Sequence, residues 1–173
     1  MNKKCLIVVD FQNDFVSGTL GFKEAFDIET PILNKLEYAI NNDIDIIFTL
    51  DTHDDQYLKT SEGINLPVIH CQKGTLGHNV YGDAKKYLSE AKVFEKIAFG
   101  SLELANYLAD NKYNEIELVG LVTNMCVIST AILAKAALPE SFITIDSKAV
   151  SSFNLDLHEK ALQVLKSMYF NVI

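Results

Sequence analysis

The feature that most limits the fold is an alternation. Short apolar runs fall at residues 6–9, 44–50, 93–94, 116–119, 142–145 and 170–173, and apolar residues recur three and four apart between them. The clearest helical stretches are 32–40, 102–108, 127–137 and 157–168. A run as apolar as 44–50 suits a strand covered on both faces, and helix-length connections suit parallel pairing. The expectation is an α/β protein, a three-layer α/β/α sandwich on a mainly parallel six-stranded sheet. With 173 residues, 49% of them apolar, a single domain spanning 1–173 buries a sizeable core. No repeat, low-complexity tract or linker interrupts it, and Pro31, Pro67 and Pro139 fall at expected element edges.

The net charge of -8, with no local Lys/Arg cluster, repels phosphate backbones and anionic lipid, so neither nucleic acid nor a membrane is an expected partner. No apolar run reaches membrane-spanning length, and the first residues lack a signal-peptide cleavage pattern. Three cysteines, Cys5, Cys71 and Cys126, do not suggest a disulfide framework. A reducing, cytoplasmic setting is expected.

Open parallel sheets bind ligands beyond the carboxyl ends of their strands. Three polar residues belong there: Asp10 closing the first strand, Lys96 after the third, and Cys126 at the start of the 127–137 helix. A thiol is nucleophilic only as thiolate, which a nearby ammonium and a helix N-terminus both favour. Asp10 could accept the thiol proton and return it to a leaving group. Each residue alone has a plainer reading, as a small buried hydrophobe, a helix cap or a solvated lysine. Their joint placement at strand ends points to covalent catalysis.

The longest irregular stretch, 51–82, carries Asp51, His53, Glu62 and His70. Imidazole and carboxylate donors suit zinc, iron or manganese, and the set reads as an open divalent-metal site, although polar loops also gather such residues by chance. His78 and His158 have no evident partners and are expected at the surface. No glycine-rich turn follows the first strand, so a dinucleotide or other organic cofactor is not expected. A redox-sensing role for Cys126 would need a resolving thiol, and Cys71 is the one candidate outside the first strand.

Several segments, in order, carry a resemblance: Val-Val-Asp10-Phe-Gln-Asn-Asp-Phe15, Thr49-Leu-Asp51-Thr-His53, Leu66-Pro-Val-Ile-His70-Cys71 with Gly74-Thr, then Lys96, and Gly120-Leu-Val-Thr-Asn-Met-Cys126-Val. With them the chain resembles the isochorismatase-like cysteine hydrolases, in particular the nicotinamidase-related branch. The resemblance implies that family's Rossmann-like fold, a catalytic triad of Asp10, Lys96 and Cys126, and a non-proline cis peptide between Leu121 and Val122. It implies that the N–H groups of Val122 and Cys126 hold an oxyanion, and that Asp51, His53 and His70, completed by Glu62, bind a divalent metal. The implied reaction is hydrolysis of a small amide, nicotinamide or a related carboxamide, through a thioester; an N-carbamoyl compound or an isochorismate-like ether is the alternative. Isochorismate-cleaving members lack the metal set and can carry Asp in place of Cys126, which favours the amide. The resemblance also implies a homo-oligomer.

Two departures bear on the substrate. A Trp commonly walls the nicotinamide pocket where this chain, which has no Trp, carries Leu66. Phe15 and Phe99 could flank a ring instead, or be ordinary packing. Asn124 stands where an acidic residue is frequent.

Overall fold

The computed structural model describes residues 2–173. Along the chain run β1 (Lys4–Val9), α1 (Asn13–Val16), α2 (Lys23–Asp27), α3 (Glu29–Asn41), β2 (Asp45–Asp51), α4 (Ser61–Asn65) and β3 (Ala91–Lys96). They are followed by α5 (Leu102–Asn111), β4 (Glu115–Leu121), α6 (Ile128–Ala137), β5 (Phe142–Ser151), α7 (Leu155–Ser167) and β6 (Asn171–Val172). The strands form one sheet in the order β3-β2-β1-β4-β5-β6, and every pairing is parallel. The order reverses between β1 and β4, which makes the rim beyond them the natural binding crevice.

Burial follows from strand position. β1 and β2 are central and apolar on both faces, so alternate side chains feed two cores. Leu6, Val8 and Phe48 pack with Ile32 and Leu36 of α3 on one face. Ile7, Val9 and Ile47 pack on the other with Leu104 and Leu108 of α5, Ala131 of α6 and Leu165 of α7. Each fully buried aliphatic side chain contributes roughly 1.5–3 kcal/mol, which the alternating pattern collects on both sides of the sheet. Gly120 marks a close approach of β4 to β1. It adopts φ +110° beside a bulge in the β4–β5 ladder, and a Cβ there would stand 2.1 Å from the Val9 carbonyl oxygen.

Several expectations change in detail. Residues 51–82 are not wholly irregular: they hold a 3₁₀ turn at Tyr57–Lys59 and α4, whose N-cap Thr60 accepts a hydrogen bond from the Gly63 N–H (3.0 Å). The 142–145 strand extends to Ser151, its polar Asp146-Ser-Lys148 centre hiding the continuation, and the 170–173 strand contracts to Asn171–Val172. Among the described residues no helix is long and apolar enough to cross a membrane, and all three cysteines are free and buried.

Candidate active site

Four strand ends supply the site. Asp10 leaves β1 at φ +45°, with its N–H held by the Thr49 carbonyl (3.1 Å). Its Oδ1 accepts a hydrogen bond from the Thr49 hydroxyl (2.6 Å), and its Oδ2 pairs with Lys96 Nζ at 2.7 Å. Lys96 ends β3 directly opposite Asp51 of β2, and its Nζ lies 3.5 Å from both Asp51 Oδ1 and Cys126 Sγ while donating to the Ala98 carbonyl at 3.0 Å. One ammonium thus touches Asp10, Cys126 and Asp51, all buried. The three residues expected to share the rim do meet.

The setting of Cys126 differs locally from the expectation of a helix start. Cys126 sits inside a π turn, Thr123–Val127, and α6 begins two residues later. The peptide between Leu121 and Val122 is cis. Two bonds from the far side of β5 hold the turn. The Thr123 hydroxyl meets His158 Nδ1 at 2.8 Å, and the Ser152 hydroxyl donates to Asn124 Oδ1 at 2.6 Å. His158 is therefore buried under the turn, not at the surface. His78 is buried as well, bonded through Nε2 to the Thr52 hydroxyl (2.8 Å), because loop 72–80 folds back over the ends of β1 and β2.

Electrostatics set the resting protonation. Burial, reinforced by the Asp10 carboxylate, pushes the Cys126 thiol well up despite Lys96, which agrees with an Asp10 that must first take the thiol proton. Burial also raises Asp10, against the pull of Lys96. Burial disfavours the Lys96 charge, yet Asp10, Cys126 and Asp51 together hold its ammonium above the usual lysine range. Proton transfer from Cys126 to Asp10 would leave the thiolate beside a fixed ammonium.

Asp51, His53, Glu62 and His70 also converge, with one donor atom from each within 4.8 Å of the others. Asp51 Oδ2 lies 2.9 Å from His53 Nε2 and 3.3 Å from His70 Nε2, and Glu62 Oε1 lies 3.8 Å from His70 Nε2. Burial opposes the Asp51 charge, but His53, His70 and Lys96 hold its carboxyl well below the usual range. His70 Nδ1 is engaged by the Val68 carbonyl at 2.7 Å, which leaves Nε2 facing the cluster without a well-directed hydrogen bond. Such a fixed tautomer with a free ring nitrogen suits a metal ligand. Two imidazoles and two carboxylates fit zinc, iron or manganese.

Supporting residues that sequence reasoning missed surround both clusters. The Gln12 carboxamide accepts from the Asp51 N–H (2.8 Å) and donates to the Asp51 carbonyl (2.9 Å), continuing the β1–β2 ladder with a side chain. It also donates to the His78 carbonyl (2.8 Å). Asp14 Oδ2 accepts from the Cys71 N–H (2.7 Å) and fixes the turn that follows His70. Tyr57 packs against the rings of His53 and His70 at 4.4 and 5.0 Å and donates to the Leu66 carbonyl (2.9 Å). Gln12 and Asp14 lie in the quoted first motif, which was the available signal; Tyr57 had none.

A cavity of about 770 Å³ opens over these groups, with Cys126 and Val122 on its floor. Phe15, Leu66 and Phe99 all line it, as do Asp51, Glu62 and His70. Phe15 meets the His70 ring edge-on at 5.5 Å.

With this geometry, the sequence relationships can be placed. The chain belongs to the isochorismatase domain family, which it matches over residues 4–173. It is 34% identical over 175 residues to a Bacillus subtilis (strain 168) protein described as "Uncharacterized isochorismatase family protein PncA", covering 92% of each chain. Its fold is similar to the crystal structure of nicotinamidase PncA from Bacillus subtilis, with a TM-score of 0.87 at 31% identity over 98% of both chains. The pyrazinamidase of Pyrococcus horikoshii, solved in complex with zinc, gives a TM-score of 0.87 at 25% identity, covering 99% of this chain and 98% of that one.

Proposed function

We propose that the protein is a cysteine amidase that hydrolyses a small aromatic carboxamide of the nicotinamide type through a thioester. The observation that carries this reading is Lys96 Nζ, 2.7 Å from Asp10 and 3.5 Å from Cys126 Sγ, beneath a cavity that also exposes the Asp51, Glu62 and His70 donors. Kinship with nicotinamidases supports the amide as substrate.

In this mechanism Asp10 takes the Cys126 proton, and the new thiolate stays paired with Lys96. Sγ attacks the amide carbonyl carbon, the C–S bond forms, and the carbonyl electron pair moves onto oxygen. The N–H groups of Val122 and Cys126 accept that charge by donating to the oxyanion. As the tetrahedral adduct collapses, Asp10 returns its proton to nitrogen, the C–N bond breaks, and ammonia leaves. Asp10 then takes a proton from water, the resulting hydroxide adds to the thioester carbon, and collapse releases the carboxylic acid and the Cys126 thiolate, which Asp10 reprotonates. Asp51, His53, Glu62 and His70 would hold a divalent ion, which when bound supplies a Lewis-acidic point for a ring nitrogen or for water ligated beside the substrate.

Ammonia release from nicotinamide and pyrazinamide, with and without a chelator, tests the proposal. Wild type should turn over at least one, and Cys126→Ala should lose at least about 10³-fold in kcat/KM. Normal turnover in Cys126→Ala would overturn the cysteine mechanism, and an unchanged rate after metal removal would overturn the role of the Asp51 cluster.

A further inference from the structure

The cavity over Cys126 has room for more than a bare single-ring carboxamide, and its lining is mostly apolar. At interior packing density, nine non-hydrogen atoms, the size of nicotinamide, take up on the order of 180 Å³. The cavity holds about 770 Å³, several times as much. Its polar groups gather on one wall, where Thr60, Ser61, Glu62 and Asn65 stand beside Asp51 and His70. Apolar lining comes from the segment after β3 (Ile97, Ala98, Phe99) and from Phe153 of the β5–α7 connection, as well as from Phe15, Leu20 and Leu66.

The mouth supplies a second, independent observation. Ile97, Phe99 and Phe153 line the cavity yet remain 82%, 41% and 57% exposed. Grouped apolar exposure around a concave site marks a surface completed by a ligand, since scattered single residues would not converge on one opening.

We infer that the preferred substrate is a carboxamide bearing an apolar substituent, which fills the space between the reacting amide and the wall of Ile97, Phe99 and Phe153. The inference rests on the amidase reading above and specifies its substrate class. The amide end is oriented by Cys126 and the polar wall, so the substituent contributes binding common to ground and transition states. Its signature is a falling KM at nearly constant kcat.

The test uses the whole protein and a series of nicotinamides alkylated at the ring carbon meta to both the carboxamide and the ring nitrogen: hydrogen, methyl, ethyl and propyl. Ammonia release should give kcat/KM rising about threefold or more per added methylene, carried by KM. Ile97→Ser, at a position 82% exposed, and Phe153→Ser, whose ring also meets Phe22 at 6.2 Å so that its thermal midpoint is measured alongside, should each flatten the series by lowering kcat/KM for the propyl compound severalfold more than for nicotinamide. Equal or declining kcat/KM along the series, with nicotinamide itself turned over, overturns the inference and leaves the amidase reading standing. A rising series that neither serine variant flattens also overturns it, because the apolar wall would then not be what the substituent meets. Release from no member of the series overturns the amidase reading and the substrate class together.

Discussion

The two ends of the sheet carry the same kinds of charged residue and use them differently. At the amino end of the strands Lys4 pairs with Glu115 at 2.7 Å, and further along β4 and β5 Lys35 of α3 bridges Glu117 at 2.6 Å and Asp146 at 2.8 Å, all with part of their surface in water. At the carboxyl end, Asp10 and Lys96 pair at 2.7 Å with side chains 0% and 2% exposed. The distances match, but the dielectric surroundings do not. A solvated pair gains little, since water already satisfies both charges, whereas a buried pair has lost hydration and depends on its partner. The solvated pairs tie neighbouring elements together loosely, while the carboxyl end holds charges in an unsolvated arrangement suited to proton transfer.

The sharpest way to break this contrast is to remove one lysine from a buried pair and one from a solvated pair. Lys96→Met should cost about 3–5 kcal/mol in urea unfolding because it strands the Asp10 charge. A cost below 1 kcal/mol would mean that the buried pair behaves like a surface one. Next in size is Gln12→Ala, which leaves the Asp51 N–H and carbonyl without their side-chain partners. About 1–3 kcal/mol of stability should be lost, and zinc affinity by direct titration should fall on the order of tenfold or more.

A smaller effect concerns His158, whose ring burial holds below its ordinary value, with only Glu159 opposing. Above about pH 6.5 the ring is neutral in both folded and unfolded chains. Below it, the unfolded chain takes up a proton that the folded one resists, so stability falls with pH until the folded ring also titrates. Urea midpoints between pH 5 and 7.5 should therefore drop more steeply in wild type than in His158→Asn. His78, which burial also lowers, contributes the same sign to both proteins, and His70, raised by Asp51 against its burial, contributes the opposite. Least affected should be Lys35→Met, at about 1 kcal/mol or less for a half-buried pair.

Much of the fold was legible because both periodicities are strong: β1, β2 and β4 read directly as apolar runs, and α3, α5 and α7 as amphipathic stretches. The carboxyl-end rule located Asp10, Lys96 and Cys126 because parallel strands all deliver their ends to one side. The remainder depends on contacts that no local pattern encodes. The continuation of β5 through Asp146 and Lys148 is invisible to an apolar count. His78 and His158 read as surface residues because their partners, Thr52 and Thr123, lie 26 and 35 positions away. The strength of the burial effect on the Cys126 thiol was not legible either, since a sequence shows which charges exist but not how deeply the group between them is buried. Gln12 stood in the first quoted motif, but its role was hidden for a related reason, since a carboxamide that imitates backbone carries no charge or reactivity to single it out.

In the sheet register, Thr49 stands opposite Val9 and Asp51 stands opposite Lys96. The reacting groups are therefore spaced by backbone ladders, while most of the cavity above them is built from connections at residues 60–66, 97–99 and 153. That division of labour makes the scaffold readily adaptable. Loops can be lengthened, shortened or re-sequenced to admit a different guest without moving Asp10, Asp51 or Lys96, so lineages sharing these strand ends can diverge in diet while keeping one frame.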